Sequence, residues 1–428
     1  HKPQSGRMGM KRLIAHDNIE RRRLLMLLPF PPRLDATHGG SRAMAQLIVH
    51  LAAYHDVALV YLQGEDEPPI DPTVAGRCAL AEQVRRPADP PSGLRANLRY
   101  TAMWLVLLAG RPTWVFDWAV PAFTERVRAL AREWQPDIVH VEYNVMAQYC
   151  SALADCPAPR VLTLYDLGAA TARQLWQERK QHGRVLPFLN MHAWERYEQA
   201  MARKVQAVVV LTERDRAAFL PYAGDTPVHT IALGMMMPEH PSNARGESAN
   251  LLFVGSFEHT PNIEAVRRLI TAILPRVQTL RPDVTLTVVG ANPPLEIRQM
   301  ANGALDLVGW VPDVAPYLDR AALVAAPISL GGGMRIKVLE ALAHGKAVVA
   351  SPLALAGLDV VNGTHVVVAD SDEQFAQAIV RLLNNPAERE RLGSNARAWA
   401  LAHLDWKDSM AAYASLYDQL LLHEVPAV

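Results

Sequence analysis

The sequence predicts an α/β protein with two doubly wound parallel domains. Short apolar runs alternate with stretches of helical periodicity, first from Leu24 to Ile231 and again from Asn250 to Ser351. Such alternation marks βαβ units. A polar, proline-bearing segment, Pro238 to Ser248, separates the two series and reads as a linker. Late in the second series, a strand, three consecutive glycines, a short helix and another strand follow one another between Ala321 and Ser351.

The chain of 428 residues is long enough for two domains of ordinary size. Its 50% hydrophobic and 20% charged residues are the balance of a globular protein. Lys and Arg match Asp and Glu at 43 each, so nucleic acid is not expected as a partner. Cys78, Cys150 and Cys156 are too few and too irregular for a disulfide framework or a zinc site, and a reducing compartment is expected. No run reaches the length of a membrane span; the longest with aromatic company is Ala102 to Gly110. The basic clusters Lys11-Arg12 and Arg21 to Arg23 are not followed by a cleavage site of small residues, so no signal peptide is expected. The expectation is a cytoplasmic protein, with contact at the inner face of a membrane left open. A chain that starts at His1 rather than Met leaves open whether it is a fragment of something longer.

Leu24 to Phe30 is a continuous apolar run closed by Pro29, Pro31 and Pro32, the pattern of a buried parallel strand. Gly39-Gly40 then form a loop, with Ser41 expected as N-cap of a helix striped by Met44, Leu47, Ile48 and Leu51. Asp56 to Leu62 is the second strand. A glycine loop at the carboxyl end of a first strand is where open α/β sheets bind ligands, or else an ordinary βα turn. Pro68 to Pro91 is rich in Pro, Asp and Glu and is expected at the surface. Arg95 to Trp134 is largely helical, broken at Gly110-Arg111-Pro112. Its aromatics, Trp104, Trp114, Phe116 and Trp118, are expected in the core rather than on an interfacial face. Pro136 to Tyr143 and Arg160 to Tyr165 are strands whose ends bring His140, Glu142, Tyr165 and Asp166 towards a cleft. A helix from Trp194 to Val205 and a strand from Ala207 to Leu211 follow, then a capping-box start at Thr212.

In the second series, Asn250 to Phe257, Val284 to Val289, Leu305 to Trp310, Ala321 to Ile328 and Ala347 to Ala350 read as strands. Helices are expected over Asn262 to Leu280, Asp313 to Asp319, Arg335 to Ala343, Glu373 to Asn384, Ala387 to His403 and Trp406 to Leu422. The turn Gly331-Gly332-Gly333 leaves no Cβ between backbone and ligand. The free N–H groups at the following helix start, with the helix dipole, favour a phosphate. Arg335 and Lys337 place two cations in that first turn, which opposes the dipole unless an anion is bound. Glu340, one turn beyond Lys337, either accepts ribose hydroxyls or pairs with Lys337. Gly345 is placed to end the helix. The plain alternative is a tight αβ connection with its charges in water. The stretch is neither a Walker loop nor a GxGxxG fingerprint.

These residues resemble the donor-site signature of family 4 glycosyltransferases, enzymes of the GT-B fold. The segment GGGMRIKVLEALAHGKAVVAS is similar to a branch with Gly-Gly-Gly-x-Arg-x-Lys-x-x-Glu-Ala in place of the commoner Glu-x7-Glu. Glu340 matches the second glutamate, and Gly332 stands where the first would be. FVGSFEHTPN, LVGWVPDVAPYL and the Asn362-Gly363 loop extend the resemblance over nearly all of the second half. Two further departures are Ser256, where many relatives have an arginine after Gly255, and Tyr165-Asp166, where His-Asp is common.

The resemblance implies a retaining glycosyltransferase acting on a nucleotide-diphosphate sugar, with a glycan or lipid-linked acceptor. It implies no cofactor and no metal, because two cations and a helix terminus would neutralise the leaving diphosphate. Residues 1–22 would be an extension, 23–240 an acceptor-side domain, 249–405 a nucleotide-sugar domain, and 406–428 a helix crossing back to the first domain. Lys337, Arg335 and Asp166 are the implied catalytic residues. Glu340, Gly255, Ser256, Gly331, Gly332, Gly333, Met334 and Val311 would bind the donor. Gly39, Gly40, Glu142 and Tyr165 would line the acceptor side. Loss of the first glutamate leaves a nucleotide-binding pseudoenzyme as an alternative. A sugar-nucleotide epimerase of the same fold, or a scaffold using the Trp-rich helices, are the others.

Overall fold

The computed structural model describes residues 20–36, 39–65, 67–87, 94–178, 185–243, 249–257, 259–301, 303–330 and 336–422, without the side chains of 94–100 and 178. The first domain is a seven-stranded sheet. Its strands are β1 (Arg23–Leu28), β2 (Asp56–Gln63), β3 (Leu80–Arg85), β4 (Ile138–Glu142), β5 (Arg160–Leu164), β6 (Ala207–Val210) and β7 (Val228–Thr230). They lie in the order β3-β2-β1-β4-β5-β6-β7, every pair parallel. Its helices are α1 (Gly39–Tyr54), α2 (Pro72–Ala75), α3 (Leu94–Leu108), α4 (Thr113–Asp117), α5 (Pro121–Trp134), α6 (Gly168–Glu178), α7 (Val185–Ala202) and α8 (Glu213–Ala223).

The second domain has six strands: β8 (Asn250–Val254), β9 (Thr285–Val289), β10 (Leu305–Gly309), β11 (Leu323–Ala326), β12 (Val348–Ala350) and β13 (Val367–Val368). Their order is β10-β9-β8-β11-β12-β13, again all parallel. Its helices are α9 (Thr260–Arg268), α10 (Leu274–Leu280), α11 (Leu295–Gln299), α12 (Ala315–Arg320), α13 (Ile336–Ala343), α14 (Asp372–Asn384) and α15 (Pro386–His403). A last helix, α16 (Trp406–Leu422), returns to the first domain. The fold is GT-B: two parallel-sheet α/β domains and a crossing C-terminal helix.

The apolar runs form strands because helices cover both faces of each sheet. Leu24 to Leu28 of β1 are fully buried, as are Leu251 to Phe253 of β8. Gly345 ends α13 in the left-handed region (φ 72°). The N–H groups of Gly345 and Lys346 bond to the carbonyls of Leu342 and Ala341, a Schellman arrangement.

Several expectations are corrected. The stretch read as surface, Pro68 to Pro91, is exposed or half-buried at nearly all of its described residues, as expected, but it also contains α2 and β3, which were not expected. That strand has one neighbour, β2, so it tolerates Glu82 and Gln83 and loses the apolar signature. Ser41 is not an N-cap. The helix already starts at Gly39, and the Ser41 hydroxyl donates to Pro31 O (2.7 Å) and accepts from Arg33 N (3.0 Å). The helix expected from Asn262 to Leu280 is interrupted by a π turn, Leu269–Ile273. Pro275 follows at the start of α10, where it has no N–H to continue an α ladder. Of the aromatics expected in the core, Trp118 is buried beneath Arg86 (4.2 Å) and Trp114 packs on Trp194 (6.0 Å). Trp104 and Phe116 are half-buried.

The chain crosses between domains twice, side by side. Met235 N donates to Leu404 O (2.9 Å), and Ser409 Oγ donates to Ala232 O (2.7 Å). Gly234 is required here, since a Cβ would fall 2.5 Å from the Trp406 ring. Trp406 in turn stacks on His50 of α1 (4.3 Å, 14°). Beyond it, Met410, Tyr413, Leu416 and Tyr417 join the core formed by β1, β2, β6 and α1. Two further polar contacts pin the helix: Tyr417 OH to His140 Nε2 (2.6 Å), and Arg22 to Asp418 (2.5 Å).

His55 lies under this helix, 4% exposed, with its ring edge-on to Tyr417 at 5.5 Å. Burial, with Arg22 nearby, pushes its imidazole down to about 4. The folded state therefore binds fewer protons than the unfolded chain below the ordinary value of ~6.5, and stability falls as pH drops through that window. Urea unfolding of wild type should weaken from pH 7 to pH 4.5. His55→Gln should flatten that decline by ~2 kcal/mol, the linkage value of a shift of that size over this window; an unchanged slope would remove His55 as its cause.

Candidate functional site

In an open parallel sheet, the crevice for ligands lies outside the carboxyl ends of the strands where strand order reverses. That point is β1/β4 in the first sheet and β8/β11 in the second. The turns leaving these strands carry most of the residues singled out from sequence.

On the second domain, β8 runs into Gly255-Ser256. Gly255 N donates to Val289 O (2.9 Å), and Gly290 N donates to Gly309 O (2.8 Å). The two loops touch: a Cβ on Gly290 would stand 2.0 Å from Gly255 O. On its other side, Gly255 is crossed by a side chain. A Cβ there would lie 2.9 Å from Lys337 Nζ and 2.9 Å from the Asn262 amide. Asn262, 6% exposed, donates through Nδ2 to Ser256 O (2.6 Å) and accepts the Lys337 ammonium on Oδ1. That ammonium also sits 5.1 Å over the Phe253 ring. Lys337 from α13 is thus laid across the mouth of β8. Asn262 was not singled out as a site residue, although it closes the FVGSFEHTPN segment.

Lys337 and Glu340 are three apart on α13 and share a face. Glu340 pairs across the cleft with Arg42 of α1, Nη2 to Oε1 3.0 Å. Val311, half-buried, packs against the second core. Gly331, Gly332, Gly333, Met334 and Arg335 lie outside the described residues.

On the first domain, α1 begins at the glycine pair. A Cβ on Gly39 would meet Ile336 Cδ1 of α13 at 3.1 Å, so the starts of the two helices face each other. A Cβ on Gly40 would overlap the Tyr143 hydroxyl, at 1.8 Å. Tyr143 itself takes φ 73°, ψ 145°, a conformation costly for a residue with a Cβ. Its ring stacks on Tyr165 (4.4 Å, 11°) and meets Phe30 edge-on (5.3 Å). Burial, with Asp166 and Glu142 near, pushes its phenol well above the usual range, so the hydroxyl stays protonated. Asp166 is half-buried at the end of β5. Sequence reasoning missed Tyr143, because only a contact between distant segments marks it.

His140, Glu142 and Tyr165 are corrected from cleft to interior. His140 and Glu142 are fully buried and Tyr165 is 8% exposed. Glu142 accepts from Tyr165 OH (2.9 Å) and Thr163 Oγ1 (3.3 Å), and faces His140 Nδ1 (3.1 Å). The expectation assumed that a strand end opens into a loop at the surface. Here α16 covers it, and Tyr417 closes the network over His140.

Among the described residues, no group of three or more His, Cys, Asp or Glu could hold a metal ion. The sequence does contain one Asp-x-Asp, Asp370-Ser371-Asp372, but it starts α14. Ser371 caps that helix, and Asp372 pairs with Arg268 (2.6 Å). No described helix is long and apolar enough to cross a membrane.

Comparison with known proteins follows the same division. A model described as Glycosyltransferase Family 4 matches residues 37–235, and one described as Glycosyl transferases group 1 matches residues 248–385. An uncharacterized glycosyltransferase of Methanocaldococcus jannaschii is 27% identical over 180 residues, 40% of this chain and 45% of that protein. A phosphatidyl-myo-inositol mannosyltransferase of Mycolicibacterium smegmatis is 26% identical over 313 residues, 70% of this chain and 75% of that one. Among solved structures, a sucrose-phosphate synthase from Thermosynechococcus elongatus superimposes with TM-score 0.70 at 19% identity, covering 94% of this chain and 100% of that one. Anabaena HepE in complex with UDP and glucose gives 0.63 at 14% identity, covering 92% and 98%.

If Glu142 and Tyr165 serve the interior, Glu142→Gln and Tyr165→Phe should each lower unfolding free energy by about 1–3 kcal/mol, the cost of a broken buried hydrogen bond. Nucleotide affinity should stay within about two-fold. Unchanged stability with altered affinity would return these residues to the cleft.

Proposed function

This chain is a GT-B glycosyltransferase, and we propose that it transfers a sugar from a nucleotide-diphosphate sugar to a glycan or lipid-linked acceptor, with retention and without a metal ion. The reading rests chiefly on Lys337, held by Asn262 and Phe253 across a backbone that only glycine leaves open. An ammonium fixed at the switch point, beside a helix start, suits a diphosphate. Under this reading Lys337, with Arg335 and the N–H groups of the Gly331 to Gly333 turn, neutralises the charge that develops on the leaving diphosphate. Glu340 accepts hydrogen bonds from the ribose. The acceptor enters past Gly39-Gly40 and Asp166.

The sugar C1–phosphate oxygen bond breaks while the acceptor oxygen bonds to C1 from the same face. The acceptor's proton passes to the departing phosphate oxygen, so the protein supplies no nucleophile. The UDP and glucose bound to HepE support a nucleotide-sugar donor. The M. smegmatis relative, a mannosyltransferase to phosphatidyl-myo-inositol by name, supports a lipid-linked acceptor.

Lys337→Ala should lower turnover at least ~100-fold, the scale of one lost electrostatic contact to a transition state, with melting temperature little changed. Activity near wild type would end the diphosphate role. Excess EDTA should leave the wild-type rate intact; a rate lost with chelator and restored by a divalent cation would contradict metal independence.

A further inference from the structure

Arg42 has no role in the sequence-level reading, yet the structure puts it at the junction of the domains. It projects from the first turn of α1, where a cation opposes the helix dipole. It reaches over the Gly39–Ile336 contact to Glu340 on α13, 3.0 Å away. The two side chains are 27% and 15% exposed, so the pair is shielded and the carboxylate depends on its partner. Arg42 takes Oε1. An ionised carboxylate offers about four acceptor positions on its two oxygens, so Oε2 remains able to accept.

We propose that Arg42 is a positioning residue for the donor. It holds Glu340, from the opposite domain, in the orientation that accepts the ribose hydroxyls. This rests on the nucleotide-sugar reading above and adds a consequence to it. The ribose site is complete only when α1 and α13 are in contact, so donor affinity is tied to closure of the two domains. Arg42 acts through Glu340 and not on the diphosphate, which is left to Lys337 and Arg335.

The test is a double-mutant cycle on the full chain, read by calorimetry. The ligand is whichever of UDP, GDP, ADP or CDP binds wild type, alongside its 2′,3′-dideoxy form. Arg42→Gln should weaken the ribonucleotide roughly ten-fold, the value of a hydrogen bond to a charged group. The double variant with Glu340→Gln should bind no more weakly than Glu340→Gln alone, and the dideoxy form should lose less than about two-fold on Arg42→Gln. Additive losses, or an equal loss with the dideoxy form, would overturn the proposal in favour of a direct phosphate contact. Unchanged affinity with a lowered melting temperature would overturn it in favour of a structural brace. If wild type binds neither these nucleotides nor dTDP, the donor reading itself fails and this inference with it; if it binds dTDP alone, the same cycle is run on dTDP and its 3′-deoxy form.

Discussion

Close approach of backbone to backbone at the mouth of β8 is the constraint on which the site depends. Gly290 lets the β9 turn touch Gly255 O, and Gly255 leaves room for the Lys337 ammonium and the Asn262 amide. A methyl group at either position would push the loops apart or evict the ammonium. Asn262 then ties the arrangement together, bonding to the Ser256 carbonyl and to Lys337 at once. The ammonium is set by packing, and under the proposed diphosphate role that is the preorganisation electrostatic catalysis needs.

The first domain is arranged differently. Its switch point is filled with aromatic rings, Phe30, Tyr143 and Tyr165, and Gly40 lies against the first two. Beneath them, the buried Glu142–His140–Tyr417 network ties the same strands to α16. The helix that closes the fold and the turn that faces the cleft are therefore supported by one continuous set of contacts. Because α16 follows directly from the second domain, its grip on β4 also fixes where that domain starts its return crossing at Trp406.

Much of this was legible in the sequence, for identifiable reasons. Strands buried on both faces, such as Leu24 to Leu28, read as unbroken apolar runs. The Schellman turn at Gly345 and the N-cap at Thr212 have local signatures, and both are present. The edge strand β3 was missed because it lacks a second neighbour and carries polar residues. Glu142 was misplaced because the helix that buries it comes from the far end of the chain. Arg42, Asn262 and Tyr143 went unremarked as site residues for a related reason. Each becomes meaningful only through a contact made by folding, to Glu340, Lys337 and Gly40 respectively. Local pattern reveals elements and their ends; it does not reveal which distant side chain arrives at them.

The most direct test is nucleotide binding itself. Wild-type protein would be melted with UDP, GDP, dTDP, ADP and CDP, without added metal. A ligand at about a hundred times its dissociation constant adds roughly 2.7 kcal/mol to the folded state, enough for a visible rise in melting temperature. The account predicts a clear rise with at least one of the five, and its loss in Lys337→Ala. No rise with any of them, or a rise that Lys337→Ala leaves untouched, would contradict the donor site as described.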